Sequence, residues 1–176
     1  MAFSITSFKG GAIQAGGYRP ALFEAQVTRA GNSMNFLCQA TQVPAMTMGV
    51  IEVPYFGRKI KVAGDRTYAE WTTTLMIEED FGLRAELEDW QEQINSADGN
   101  IRAEVFEAYK SEAEILMYGK GGSGDGGGKP IRTYTLQGCW PTDVGTIELD
   151  WNTTDTIGTY TVTWAFDVME PGTKGG

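Results

Sequence analysis

The chain has 176 residues, which suits one domain with a sizeable hydrophobic core, and 41% of them are hydrophobic and 21% charged, as in an ordinary soluble globular protein. A formal net charge of −9 disfavours a protein that grips nucleic-acid phosphates, and the absence of histidine excludes Ser–His and Cys–His catalysis. No apolar run approaches the length of a membrane-spanning helix, so we expect no membrane insertion.

Residues 1–20 are predicted to form an N-terminal arm. Repeated glycines interrupt regular structure, and Arg19-Pro20 ends the segment before the first strand. The apolar side chains of Phe3, Ile5 and Phe8 suit a segment that docks on another surface. A floppy terminus is an equally good interpretation.

Two alternating runs, 22–30 and 33–41, flank Gly31-Asn32, a pattern typical of a β-hairpin. The side chains predicted to face the core from these runs are Phe23, Ala25, Val27, Met34, Phe36, Cys38 and Ala40. Neither Cys38 nor Cys139 belongs to a Cys-x-x-Cys pair, so both are predicted to be buried free thiols.

Residues 49–62 are predicted to form an edge or projecting hairpin, because Pro54 cannot donate a hydrogen bond to a central strand. Its apolar surface exceeds that of a free loop, so it either folds back onto the core or contacts another subunit, and we favour the second. The candidate contact residues here are Val50, Ile51, Val53, Tyr55, Phe56 and Arg58.

A turn is predicted at residues 63–66, where Asp65 and Arg66 form either a charge pair near a subunit boundary or a pair local to the turn. The strand that follows alternates. Its core face carries Trp71, Thr73, Leu75 and Ile77, and its polar face carries Glu70, Thr72, Thr74 and Met76.

A helix is predicted at about 80–97, with Asp80 as its N-cap. Its apolar stripe consists of Leu83, Leu87, Trp90 and Ile94. The acids on its other faces do not converge on one point, which favours a solvated surface over a pair of catalytic carboxylates.

Two further strands, 112–118 and 130–140, are joined by a glycine-rich hairpin tip at 119–129. Gly122-x-Gly124-x-x-Gly127 matches a dinucleotide fingerprint in form, but a strand follows it instead of a helix. We therefore predict no cofactor, and no cluster of residues suggests a metal site.

The C-terminal part is predicted to contain a turn at 141–145, a strand at 146–151 with Ile147, Leu149 and Trp151 on one face, a strand at 159–169 and a tail at 170–176. The tryptophans lie mostly on inward stripes and are predicted to belong to the core. Residues 21–169 then form a single mainly β domain, an antiparallel β-sandwich or partly open barrel with one flanking α-helix.

Several motifs resemble the tail tube proteins of contractile-tailed bacteriophages. They are Val62–Tyr68 followed by Trp71-Thr72, then Asp89-Trp90 on the helix, and later Trp140–Gly145 with Leu149-Asp150-Trp151. Their order and spacing are similar over nearly the whole chain. The N-terminal arm and the glycine-rich tip resemble the family less.

The resemblance implies a structural virion protein, not an enzyme, that is assembled in the host bacterial cytoplasm. Its hexameric rings stack into a tube inside a contractile sheath, with the sheath and baseplate proteins as partners, and DNA passes through without specific binding. The threonine-rich faces are then expected to line the lumen, through Thr72, Thr74, Thr161, Thr163 and Asp167. The segment Phe3–Ile13 of the arm and the segment Met46–Ile60 are expected to make the contacts between rings.

Three alternatives remain open. The same fold occurs in secretion-system and toxin-delivery tubes. A monomeric β-sandwich module could use its tryptophans to bind carbohydrate or peptide. A two-carboxylate glycosidase is disfavoured, because no pair of acids stands out.

Overall fold

The computed structural model describes residues 18–30, 33–100, 105, 107–119 and 130–172. Within them the chain forms nine strands and two helices. In chain order the elements are β1 Phe23–Val27, α1 Ser33–Leu37, β2 Cys38–Thr41, β3 Met46–Tyr55, β4 Arg58–Tyr68, β5 Trp71–Met76, α2 Gly82–Ile94, β6 Ser111–Tyr118, β7 Pro130–Val144, β8 Thr159–Ala165 and β9 Val168–Pro171.

Seven strands form one antiparallel sheet in the order β1-β6-β7-β8-β5-β2, with β9 beside β7. The long strand β7 joins the two halves, since it pairs with β6 and β9 along its first part and with β8 along its last. Strands β3 and β4 form a separate two-stranded sheet. The predicted fold class, mainly β and antiparallel, is confirmed.

One hydrophobic core fills the space between the halves of the sheet. Alternation places every second side chain of the central strands inward, as the pattern of β5 predicted. The fully buried side chains include Ala25, Val27, Ile115 and Leu136 from one half and Trp71, Leu75, Val162 and Trp164 from the other.

Helix α2 covers this core with the predicted stripe. Leu83, Leu87 and Trp90 are buried and Ile94 is partly buried. The predicted N-cap is one residue early: Phe81 occupies that position with φ 55°, and Asp80 Oδ1 accepts a hydrogen bond from the Gly82 N–H at 3.2 Å.

The predicted hairpin across Gly31-Asn32 is wrong. Strand β1 pairs with β6 and β2 pairs with β5, so the two runs lie on opposite edges of the sheet. Between them α1 buries Met34 and partly buries Leu37, while Phe36 is 82% exposed. The spacing of Met34 and Leu37 is that of one helical face, which outweighed the strand-like alternation in this run. Ala40, also predicted to face inward, is exposed.

The turn predicted at 63–66 is also wrong, because β4 continues through it to Tyr68. Met48 lies opposite Arg66 and Val50 opposite Ala63, so one residue of β3 faces two of β4. This is a β-bulge, and it explains the glycine there. A Cβ on Gly64 would come within 3.2 Å of the Gly49 backbone.

The turn and strand predicted at 141–151 are absent from the described structure. Strand β7 continues to Val144, and Pro141 is tolerated because the β7–β8 register shifts between Pro141 and Asp143. Residues 145–158 then form a long loop in which Leu149 is 90% and Trp151 99% exposed, so Trp151 is not a core residue.

The strand predicted at 159–169 is divided in two. Strand β8 ends at Ala165, a bend follows at Asp167, and β9 pairs with β7 instead of continuing β8. The predicted tail therefore begins later, since Glu170 and Pro171 still belong to β9.

Candidate assembly surfaces

A large exposed apolar surface lies on the hairpin of β3 and β4, residues 46–68, which we name the projecting arm. It does not fold back onto the core: Val50 is 62%, Tyr55 62% and Phe56 91% exposed. The other predicted contact residues, Ile51, Val53, Arg58, Asp65 and Arg66, are exposed as well. The structure thus brings together all the predicted contact residues of this hairpin.

A tight turn presents the tip of the arm. Phe56 and Gly57 both have positive φ, at 44° and 72°, as a two-residue type I′ turn requires. The Tyr55 and Phe56 rings meet edge to face with centroids 4.9 Å apart. The tip is therefore an aromatic pair on a defined backbone.

The arm is basic although the chain is acidic. It carries four of the 14 Lys and Arg residues but only two of the 23 Asp and Glu residues. Lys59 Nζ lies 2.7 Å from Glu52 Oε2 in an exposed ion pair, which contributes little to stability in water.

Asp65 and Arg66 do not form the alternative local turn pair, since both lie within β4. Consecutive strand residues point to opposite faces of a sheet. The charge pair near a subunit boundary stays a prediction.

The second predicted surface consists of Thr72, Thr74, Thr161 and Thr163, which we name the threonine surface. Thr72 lies opposite Thr163 and Thr74 opposite Thr161 across the β5–β8 pair. These residues alternate with the buried ones and so share the face away from the core. The structure thus places four of the five predicted lumen residues together.

Asp167, the fifth, lies apart from them in the bend after β8. Its Oδ2 is 2.6 Å from Lys110 Nζ, and this hydrogen bond raises the pKa of Lys110. Asp167 is therefore held against the segment that precedes β6, not on the threonine surface.

A third surface was missed by the sequence analysis. The loop 145–158 and the segment 77–81 border an open groove of about 1470 Å³, which we name the acidic groove. Tyr160 lies at its inner side, and burial raises the pKa of this phenol to about 12. The exposed pair Leu149 and Trp151, interpreted as a core stripe, was the signal available in the sequence.

The predicted positions of Phe3, Ile5, Phe8 and the glycine-rich tip lie outside the described residues, apart from Gly119 at the base of the tip. Within the described part of the chain, no group of three or more potential metal ligands converges. In the same part, no helix has the length and apolar character needed to cross a membrane.

Sequence comparison agrees with this architecture. A profile of the family described as phage tail tube protein matches residues 13–169. The chain is 35% identical to tail tube protein gp19 of Enterobacteria phage T4 over 161 residues, which cover 90% of this chain and 95% of that protein. It is 28% identical to the tail tube protein of Serratia phage KSP90 over 125 residues, 71% of this chain and 67% of that protein.

Solved structures share the fold at low sequence identity. One is a chain in the sheath–tube complex of an extracellular contractile injection system, which has a TM-score of 0.64 and 14% identity and covers 97% of this chain and 99% of that one. Another is a type six secretion system protein, with a TM-score of 0.53 and 9% identity over 91% of this chain and 93% of that one. The profile match over residues 13–169 and the 35% identity to gp19 show the family: the chain belongs to the phage tail tube proteins.

Proposed function

We propose that copies of this chain assemble into hexameric rings that stack into the tube of a contractile phage tail, a virion structure through which DNA is ejected. The observation that carries the proposal is the projecting arm, because no described part of the same chain covers its apolar tip. Exposed apolar surface of this kind marks a contact with another molecule. In a phage tail tube, which is built from many copies of one protein, the molecule that contacts the arm would be another copy of this chain.

The open edges of the sheet support ring closure. Strands β1 and β2 are its two ends, and in the described structure each pairs along one side. Unpaired edges are a hazard in a monomer, whereas a closed head-to-tail ring can pair or cover each one with a neighbour. We propose the sheath and baseplate proteins as further partners, on the basis of the family.

The threonine surface suits the lumen. It is polar but carries no charge, and the net charge of the chain is −9. A lining rich in Lys and Arg would bind phosphates and hold the DNA. A neutral to acidic lining instead repels DNA weakly, over a Debye length of about 8 Å at physiological salt. A cryo-EM map of the tube tests this directly: Thr72 and Thr161 directed toward the sheath side would overturn the lumen assignment.

A tube of a secretion or toxin-delivery system is the second candidate, and the shared fold with the contractile injection system favours it. The sequence relatives at higher identity are phage proteins, which favours the phage tail. The role proposed is structural, without catalysis.

The arm provides the experiment. The double variant Tyr55→Ser with Phe56→Ser removes the aromatic tip, and Val105→Ser is its control, because Val105 is apolar and 77% exposed but lies outside the arm. By negative-stain electron microscopy we expect tubes from the control and none from the folded arm variant. Normal tubes from the arm variant would contradict the role of the arm in stacking.

A further inference from the structure

We infer that the acidic groove of one subunit receives the projecting arm of another copy of the chain. The inference rests on the proposed function, since it names the surface that accepts the arm when the protein assembles.

The groove has apolar walls that no described residue covers. Leu149 is 90%, Trp151 99% and Ile157 69% exposed, and Phe81 at the opposite border is 47% exposed. Four large apolar side chains exposed around one groove form a patch of the kind that binds another protein. Their loop also follows the long strand β7, so the patch lies on a defined part of the fold.

The groove is negatively charged. Its lining contains five acids and no Lys or Arg; the acids are Glu78, Glu79, Asp143, Glu148 and Asp150. The nearby cation, Arg84, is already engaged. Its Nε lies 2.7 Å from Glu88 Oε1, its Nη1 donates to the Gly145 carbonyl at 3.0 Å, and its guanidinium lies 5.2 Å from the centre of the Tyr160 ring.

The projecting arm has the complementary character. It combines an aromatic tip with Arg58, Lys59, Lys61 and Arg66, all of them exposed. Apolar contact supplies the affinity in such a pairing, while opposite charges fix the register and speed the encounter. The N-terminal segment 1–17 is the other apolar candidate from this chain, but it carries a single lysine.

The two surfaces lie on different parts of the molecule, so their contact is head-to-tail. Such an interface repeats from copy to copy and builds a ring or a filament. The 10 residues of β3 can span roughly 33 Å, long enough for an arm to reach into a neighbouring subunit. The groove and the arm therefore form one subunit interface that repeats along the tube.

Cross-linking between two variants that each carry one added cysteine tests this contact. Cys38→Ser is the background for both, and the fully buried Cys139 is kept. One variant adds Lys59→Cys on the arm, and the other adds Thr153→Cys in the groove with a tag that changes its mass. The two proteins are mixed, assembled and treated with a short bismaleimide, so that only contacts between copies yield a mixed dimer. A mixture of Lys59→Cys with Val105→Cys is the control.

We expect a mixed dimer from the arm and groove variants that is at least several-fold more abundant than in the control. If tubes form but the two mixtures give equal amounts, the inference is wrong while the proposed function stands. If Phe8→Cys replaces Lys59→Cys as the efficient partner of Thr153→Cys, the groove belongs to the N-terminal segment and the inference is again wrong. Wild-type protein that never forms tubes would instead contradict the proposed function.

Charge reversal gives a second test that does not depend on cysteine chemistry. Glu148→Lys with Asp150→Lys is expected to raise the protein concentration needed for assembly by about tenfold or more, because like charges then face each other. Mixing this variant with Arg58→Glu, Lys61→Glu protein is expected to restore assembly. Failure of the mixture, with both variants folded, would overturn the inference.

Discussion

Trp71 and Trp164 lie directly opposite each other on β5 and β8, both fully buried, with ring centroids 5.6 Å apart. Trp90 of α2 lies 6.0 Å from Trp164, so the same ring contacts the sheet and the helix. Trp164 thereby joins the two layers of the fold. The core is filled by the subunit itself, while the arm and the groove remain open to partners.

Replacing Trp164 with alanine should therefore weaken the subunit itself. We expect Trp164→Ala to lower the free energy of unfolding by about 3–5 kcal/mol, as for other buried aromatic truncations. Trp151→Ala is the matched control, because that side chain is 99% exposed, and its effect should stay within about 0.5 kcal/mol. Urea unfolding followed by circular dichroism measures both, and equal losses would contradict the assigned core.

The buried hydroxyl of Thr73 should be needed for stability. It accepts a hydrogen bond from the Trp164 Nε1–H at 2.9 Å inside the core. Thr73→Val leaves that indole without its partner, so we expect a loss of about 1–3 kcal/mol. Thr161→Val on the exposed face of β8 is the control and should change stability little. The same urea unfolding assay measures both variants. An unchanged free energy of unfolding for Thr73→Val would show that this hydrogen bond is unimportant.

Tyr160→Phe should be neutral or slightly stabilising. The Tyr160 hydroxyl is buried and has no hydrogen-bond partner among the described residues, and such a group is costly to keep from water. Phenylalanine keeps the ring beneath Arg84. A loss above about 1 kcal/mol in the unfolding assay would indicate a hydroxyl contact that the structure does not show.

The same variant should change the response to alkaline pH. Burial raises the pKa of Tyr160 to about 12 in the folded protein, whereas an unfolded chain has a tyrosine pKa of about 10. The unfolded state therefore loses its proton first, and stability falls as the pH rises from about 10 to 12. We expect a smaller fall for Tyr160→Phe; Tyr118, whose pKa burial also raises to about 12, keeps its contribution in both proteins. Identical pH profiles would contradict the assignment.

The two free thiols should react slowly. Burial raises the pKa of Cys38 to about 11 and raises that of Cys139 further. At pH 8 the Cys38 thiolate is then about 100-fold scarcer than that of an ordinary exposed cysteine, and alkylation slows in proportion. Iodoacetamide labelling of Cys139→Ser protein, read by mass spectrometry, isolates Cys38. Unfolding in urea should restore the ordinary rate, and a fast reaction in the native state would refute the prediction.

Local alternation was enough to predict the central strands and the face of α2. In β5 every second side chain is buried, because one face of the sheet packs on the core and the other face points away from it. The helical stripe succeeded for the same reason: its spacing directly encodes which side meets the core.

The errors arise where pairing partners decide the structure. Gly64 was interpreted as part of a turn, but the close approach of Gly49 makes it a bulge. Leu149 and Trp151 alternate like a buried strand, yet no strand pairs with them in the described structure. The acidic groove was missed for this reason. In sequence, alternating apolar residues that contact another copy look the same as alternating residues that pack in the core.

Electron microscopy of the purified wild-type protein tests the central claim most directly. We predict hollow tubes whose end views have six-fold symmetry, formed alone or on a supplied baseplate template. Folded protein that stays monomeric at high concentration, and that also fails to polymerise on the template, would contradict self-assembly through the arm.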